Sequence, residues 1–265
     1  MHHIISKRQT TLASAMAVVV GFYSMTFATA ALSESAEPTR YQVAIYRGEA
    51  GCAGCAEMVD KALKNSGLPL TTSYVGEHEK LKLNDNTLKR FDLYIQPGGG
   101  QDIPAAYQAL GTEGANAIRR FVKNGKRFLG ICMGAYLADK NNLGLIDASL
   151  ASEVGRPGSG VTDEGDYALQ VRWNKKEEPF YYQDGPHLNN SQEDKAIAYY
   201  ANGDIAIAKY RYGKGTVILS GPHPEADETW LGEAATSSTT PGNKMARLMS
   251  ELGLKKIDLR TACSP

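Results

Sequence analysis

Apolar and polar positions along the chain alternate between short strand-like runs and longer stretches with helical spacing. YQVAIY (Tyr41 to Tyr46) predicts a first strand, Ala53 to Lys64 an amphipathic helix, LTTSYV (Leu70 to Val75) a second strand, and FDLYIQ (Phe91 to Gln96) a third that runs into PGGGQ. Helical spacing follows over Ala105 to Leu110 and Ala115 to Asn124, with Ala115, Ile118 and Val122 on one face. The strand RFLGI and the turn GICMGA come next. That order predicts an α/β fold: a doubly wound, mostly parallel sheet flanked by helices. From about Tyr167 the pattern changes. YALQVRW, KAIAYYA and DIAIAKY are β-rich with short polar turns, and TVILSG after RYGKG reads as a returning core strand, so the second half adds antiparallel strands. A helix over Pro241 to Leu252 closes the pattern, and there is no internal repeat or low-complexity tract.

Composition narrows the class of function. The 265 residues carry 29 basic and 29 acidic side chains, and no Lys/Arg cluster is interleaved with aromatics, which argues against a nucleic-acid partner. A small-molecule or peptide substrate is expected instead. Residues 1–30 read as a signal peptide, with Lys7 and Arg8 in a short basic start, an uncharged and mostly apolar run from Thr10, and the small-x-small site Ala28-Thr29-Ala30. The competing reading is an uncleaved anchor, since the run approaches bilayer-spanning length. Cleavage predicts a periplasmic or extracellular protein with no stable membrane insertion, a linker over 31–40, a domain over 41–255 and a tail over 256–265. Loss of Lys7 and Arg8 would leave 27 basic residues against 29 acidic ones.

Three glycine-marked turns fall at strand ends, where ligands sit in open α/β sheets. Gly98, Gly99 and Gly100 follow the third strand, and a backbone without Cβ atoms can approach and donate to an oxyanion. Gly130-Ile131-Cys132-Met133-Gly134 is a strand-turn-helix with the layout of a nucleophile elbow, in which a helix starting at Met133 would favour thiolate at Cys132. Gly221-Pro222-His223-Pro224-Glu225 offers an imidazole and a carboxylate two residues apart, suited to a base and the group that orients it. Each turn alone is common in packed structure; their joint occurrence at strand ends is what points to chemistry.

These residues carry a family resemblance. DLYIQPGGG, GICMGAY and GPHPE resemble the class I glutamine-amidotransferase-like (flavodoxin-like) fold, and VAIYRG, FVKNGKRFLGICMGAYLA and YRYGKGTVILSGPHPE look most like the domain found at the N-terminus of biotin-protein ligases. The resemblance spans roughly Tyr41 to Leu252. It implies Cys132 as nucleophile, His223 as base, Glu225 as its orienter, and backbone amides near Gly99 and Met133 as oxyanion donors. No biotin-ligase catalytic module, P-loop or synthetase-like domain is legible, so no synthetase partner is evident and the fold transfers more readily than the reaction.

Two readings of function stay open: a cysteine-dependent hydrolase of an amide or related acyl bond, and a non-catalytic small-molecule-binding or regulatory module with the same pocket. No cofactor and no metal are expected. Cys52 and Cys55 lack a second ligand pair with metal spacing, and form either a local bridge, a bridge from one of them to Cys263, or a redox pair that acts on Cys132. His187 competes with His223 for the role of base but lacks a carboxylate at HPE spacing. Tyr181, Tyr182 and Asp184 are expected to form a substrate-facing wall.

Overall fold

A computed structural model describes residues 40–189, 192–232 and 240–255. The signal-peptide reading, nearly all of the linker, the tail and Cys263 lie outside these residues. Among the described residues the chain forms eleven strands and seven helices, numbered in chain order. Five strands, β1 (Tyr41–Tyr46), β2 (Leu70–Val75), β3 (Leu93–Gln96), β4 (Arg127–Ile131) and β11 (Gly215–Ser220), run parallel. Four more, β10 (Ile205–Tyr212), β9 (Lys195–Tyr200), β6 (Tyr167–Trp173) and β7 (Lys176–Tyr182), extend the same sheet antiparallel. The order is β2-β1-β3-β4-β11-β10-β9-β6-β7. A separate two-stranded sheet pairs β5 (Ala151–Ser152) with β8 (Pro186–His187).

The inner parallel strands β1, β3, β4 and β11 are apolar on both faces because both are covered, whereas the edge strand β2 (LTTSYV) is only partly buried. Along β1, Val43 and Ile45 join one core cluster while Ala44 and Tyr46 join the other; along β4, Leu129 and Ile131 oppose Phe128 in the same way. The first cluster packs under α1 (Cys55–Lys64) and α7 (Pro241–Glu251), through Val59, Leu63, Met245 and Leu248. The second packs under α4 (Gly111–Lys123), through Ile118, Phe121 and Val122. Burying each such side chain stabilises the fold by about 1.5–3 kcal/mol relative to leaving it exposed. The short helices α2 (Asp85–Leu88) and α3 (Ile103–Ala109) complete this layer.

Several boundaries differ from the sequence reading. The first helix begins at Cys55 rather than Ala53, because Gly54 takes a left-handed conformation (φ 82°) and ends the preceding turn. The third strand begins at Leu93, since the Phe91 N–H closes a turn on the Leu88 carbonyl instead of joining the sheet. The fourth helix starts at Gly111, four residues before Ala115, and Leu83 packs where Gly114 has no side chain. Strand β7 is an addition. KEEPFYY follows Trp173 through Asn174-Lys175, both with positive φ (50° and 66°), the backbone of a tight hairpin turn without its usual glycine. Pro179 is tolerated because β7 is the edge strand.

Candidate active site

The strand order reverses direction between β1 and β3, which places a crevice at the carboxyl ends of β1, β3, β4 and β11. All three glycine-marked turns and the Cys52-Cys55 loop emerge there.

Cys132 follows β4 directly with φ 53° and ψ −113°, outside the conformations that a residue with a Cβ ordinarily adopts. Packing holds it there. Its N–H donates to the Ser220 carbonyl at 2.8 Å, which ties it to β11, and its carbonyl accepts from the Ala135 N–H at 2.9 Å. Gly134 lies so close to the Gln96 carbonyl that a Cβ would overlap it, and a Cβ on Gly130 would overlap the Gly134 carbonyl. The helix beyond, α5 (Met133–Tyr136), starts at Met133 as expected and is one turn long. Cys132 is 6% exposed and is the free cysteine among the described residues. Its thiol donates to the Gln183 carbonyl at 3.2 Å, and its sulfur interacts electrostatically with His223.

His223 is buried, and its Nδ1–H donates to Glu225 Oε1 at 2.9 Å. That bond fixes the tautomer whose Nε2 is left for the sulfur. Burial opposes charge on the imidazole, but Glu225 and the Cys132 sulfur outweigh it and raise its pKa to about 10. The second carboxylate oxygen of Glu225 is buried and has no hydrogen-bond partner among the described residues. Lys244, buried on α7, is a cation attracted by this carboxylate; burial depresses its ammonium to about 8, and it donates to the Pro179 carbonyl and sits 4.0 Å over the Phe180 ring.

The structure divides the glycine turn after β3. Gly99 and Gly100 line a cavity of about 230 Å³ with Gln101, Ile103, Cys132, Met133, Tyr136, Gln183 and Asp184. Gly98 does not line it. It packs under the imidazole, so that a Cβ there would stand 2.6 Å from His223 Cε1.

The expected wall also resolves into separate parts. Asp184 lines the cavity, with φ 47° and its Oδ1 accepting from Ser152 Oγ at 2.5 Å. Tyr182 points into the core and donates to the Gly185 carbonyl. Tyr181 leaves the cavity lining and instead braces His223: its carbonyl accepts the His223 N–H at 2.8 Å, and its ring and that of Trp230 lie 5.4 Å from the imidazole. His187 is elsewhere, on β8, where burial and Arg156 lower its pKa. Gln183, Trp230 and Lys244 carried no local motif that could have singled them out.

Cys52 and Cys55 form a disulfide with Cα atoms 5.3 Å apart. Among the described residues, Glu49, Glu77 and His78 bring ligand-type atoms within 4.8 Å of one another on an exposed surface. No described helix is long and apolar enough to cross a membrane.

Comparison with known proteins gives concordant matches. Residues 41–143 match the family described as biotin-protein ligase, N terminal. The imidazole glycerol phosphate synthase subunit HisH of Caldanaerobacter subterraneus subsp. tengcongensis is 30% identical over 200 residues, which cover 67% of this chain and 89% of that protein. A chain of PurLQS from Thermotoga maritima superposes with a TM-score of 0.58 at 16% identity, over 80% of this chain and 100% of its own length. A cytoplasmic protein from Salmonella typhimurium shares the fold with a TM-score of 0.50 at 12% identity, over 79% of this chain and 98% of its own. With a parallel sheet reversing at β1/β3 and strands β10, β9, β6 and β7 added antiparallel, the chain belongs to the class I glutamine-amidotransferase-like superfamily, and its residues 41–143 match the biotin-protein ligase N-terminal family.

Proposed function

We propose that this protein is a cysteine-dependent hydrolase of an amide or related acyl bond in a small molecule or peptide, acting through Cys132, His223 and Glu225. One observation carries the reading: a strained cysteine faces an imidazole whose far nitrogen is held by a buried carboxylate. Strain of this kind persists where packing over-determines it and is common at reactive residues. In this reading the Cys132 thiolate adds to the acyl carbon, and backbone amides of Gly99 and Met133 receive the oxyanion. His223 passes its proton to the leaving group, then takes one from the water that releases the acyl product. Glu225 keeps the imidazole oriented and stabilises its charged form. The cavity of about 230 Å³ suits a compact acyl group, and Asp184 supplies its carboxylate side. Export through residues 1–30 belongs to the same proposal, supported by a Cys52-Cys55 disulfide that an oxidising compartment maintains.

Profiling with acyl and amide electrophile probes tests the chemistry. Wild-type protein is expected to form an adduct at Cys132, Cys132→Ala none, and Gly98→Ala about 10²-fold less, because the added Cβ displaces the base. Folded protein whose Cys132 is no more reactive than a free thiol peptide would return the pocket to the role of a non-catalytic binding module.

A further inference from the structure

We propose that Cys52–Cys55 is a thiol–disulfide exchange site for a dithiol reductant, and that its redox state is transmitted to the loop beneath His223. As a staple the bridge is poorly placed. Chain-entropy stabilisation grows with the length of the loop closed, and these cysteines are separated by only three positions.

As an exchange site it has three matching features. The first is asymmetry: Cys52 is exposed while Cys55 is 1% exposed and forms the first residue of the ten-residue helix α1. An incoming thiolate therefore reaches the Cys52 sulfur, and Cys55 departs as a thiolate at the positive end of α1. The second is room. Cys52 lines a cavity of about 510 Å³ with Arg47, Glu49, Glu57, His78 and Pro97, large enough to admit a segment of a partner. The third is the connection inward. The Cys52 N–H donates to the Gly98 carbonyl at 3.0 Å, and Gly98 is the residue packed under the His223 ring. Two residues earlier on each side the loops are tied again in the opposite direction, with Gln96 Nε2 donating to the Ala50 carbonyl at 2.9 Å. The bridge thus holds the loop that supports the loop beneath the base.

The exchange balances without an outside oxidant. One thiolate of the reductant attacks Cys52, the bridge breaks, and the Cys55 thiolate leaves and takes a proton. The second thiol of the reductant then attacks its own sulfur in the mixed disulfide and releases Cys52, which is protonated in turn. Two electrons pass from the dithiol to the bridge, and the reductant leaves as a disulfide. Turnover at Cys132 is not required, so this proposal stands or falls separately from the hydrolase reading.

The test uses the full chain with dithiothreitol as the dithiol, followed by desalting, timed alkylation and peptide mapping that reports Cys52, Cys55 and Cys132 separately. Reduction of Cys52–Cys55 under native conditions is expected, with unchanged circular dichroism and a Cys132 alkylation rate lower by about tenfold, the scale on which small displacements near a reacting group register. Reoxidation should restore the rate. Cys52→Ser/Cys55→Ser should show the low rate permanently and ignore dithiothreitol; if that variant fails to fold, the wild-type cycle still decides. A bridge that yields only on unfolding, a Cys132 rate indifferent to its reduction, or a Cys52–Cys132 link would each overturn the proposal.

Discussion

The parallel and antiparallel halves of the nine-stranded sheet meet at one site but reach it differently. Each parallel strand delivers its contribution at its own carboxyl end: Gly98 to Gly100 after β3, Cys132 after β4, His223 after β11. The antiparallel half delivers support across a strand pairing. Tyr181, near the end of β7, bridges to His223, and the next turn sets the Gln183 carbonyl against the Cys132 thiol and Asp184 in the cavity. Parallel topology concentrates chemistry in turns a few residues long, whereas antiparallel hairpins place side chains by register with residues far away in sequence.

The largest effect expected from this contrast is at Gly134. Helix propensity alone predicts that Gly134→Ala gains about 1 kcal/mol. The close approach of Gly134 to the Gln96 carbonyl predicts a loss of about 3 kcal/mol, because the neighbour is backbone and cannot rotate away. Gly100→Ala, with open space around the position, should leave the melting temperature nearly unchanged. Thermal unfolding of the two variants compares them directly; equal behaviour would show that the parallel-half turns are not rigidly packed.

That contrast also explains what the sequence disclosed. The apolar runs of β1, β3, β4 and β11 and their glycine turns are local patterns, so the α/β architecture and the cluster of Cys132, His223 and Glu225 were legible. Gly98 was legible as a turn residue but not as the support under His223, since that contact joins β3 to β11. Strand β7 was hidden because KEEPFYY opens with charges and contains Pro179, both suited to an edge strand. Trp230 and Lys244 were hidden because their importance comes from partners, His223 and the Pro179 carbonyl, remote in sequence.

A second, smaller effect probes the second half through its buried acid. Glu153 is 0% exposed; burial, reinforced by the nearby Asp204 charge, raises its pKa from 4.5 to about 7. The folded state therefore binds the proton more tightly than the unfolded chain. The stability this confers is fully present below about pH 4.5 and is lost as pH rises through about 7. Glu153→Gln mimics the protonated form and keeps an oxygen to accept the Asn202 Nδ2 bond of 2.7 Å. It should be nearly neutral at pH 4.5 and stabilise by about 1–2 kcal/mol at pH 8, read as a pH-dependent difference in denaturant midpoint. A gain independent of pH would place the benefit in packing rather than charge.

The smallest effect is predicted at Tyr181, where the antiparallel half touches the base. Three parts of this residue have separable roles: the backbone carbonyl accepts the His223 N–H, the ring packs 5.4 Å from the imidazole and 5.1 Å from Trp230, and the hydroxyl donates to Asp166 at 2.6 Å on the exposed side. Tyr181→Phe removes only the last. If the antiparallel half acts as a brace, the loss is one partly solvated hydrogen bond, about 0.5–1.5 kcal/mol, and the adduct-forming rate of Cys132 should stay within about twofold of wild type, a change under 0.5 kcal/mol in barrier. Tyr181→Ala, which also removes the ring, should lower that rate further by loosening His223. A large loss of rate in the phenylalanine variant, with its melting temperature preserved, would mean that the hydroxyl acts on the reacting groups, and the division between a chemical half and a supporting half would then fail at the residue where the two meet.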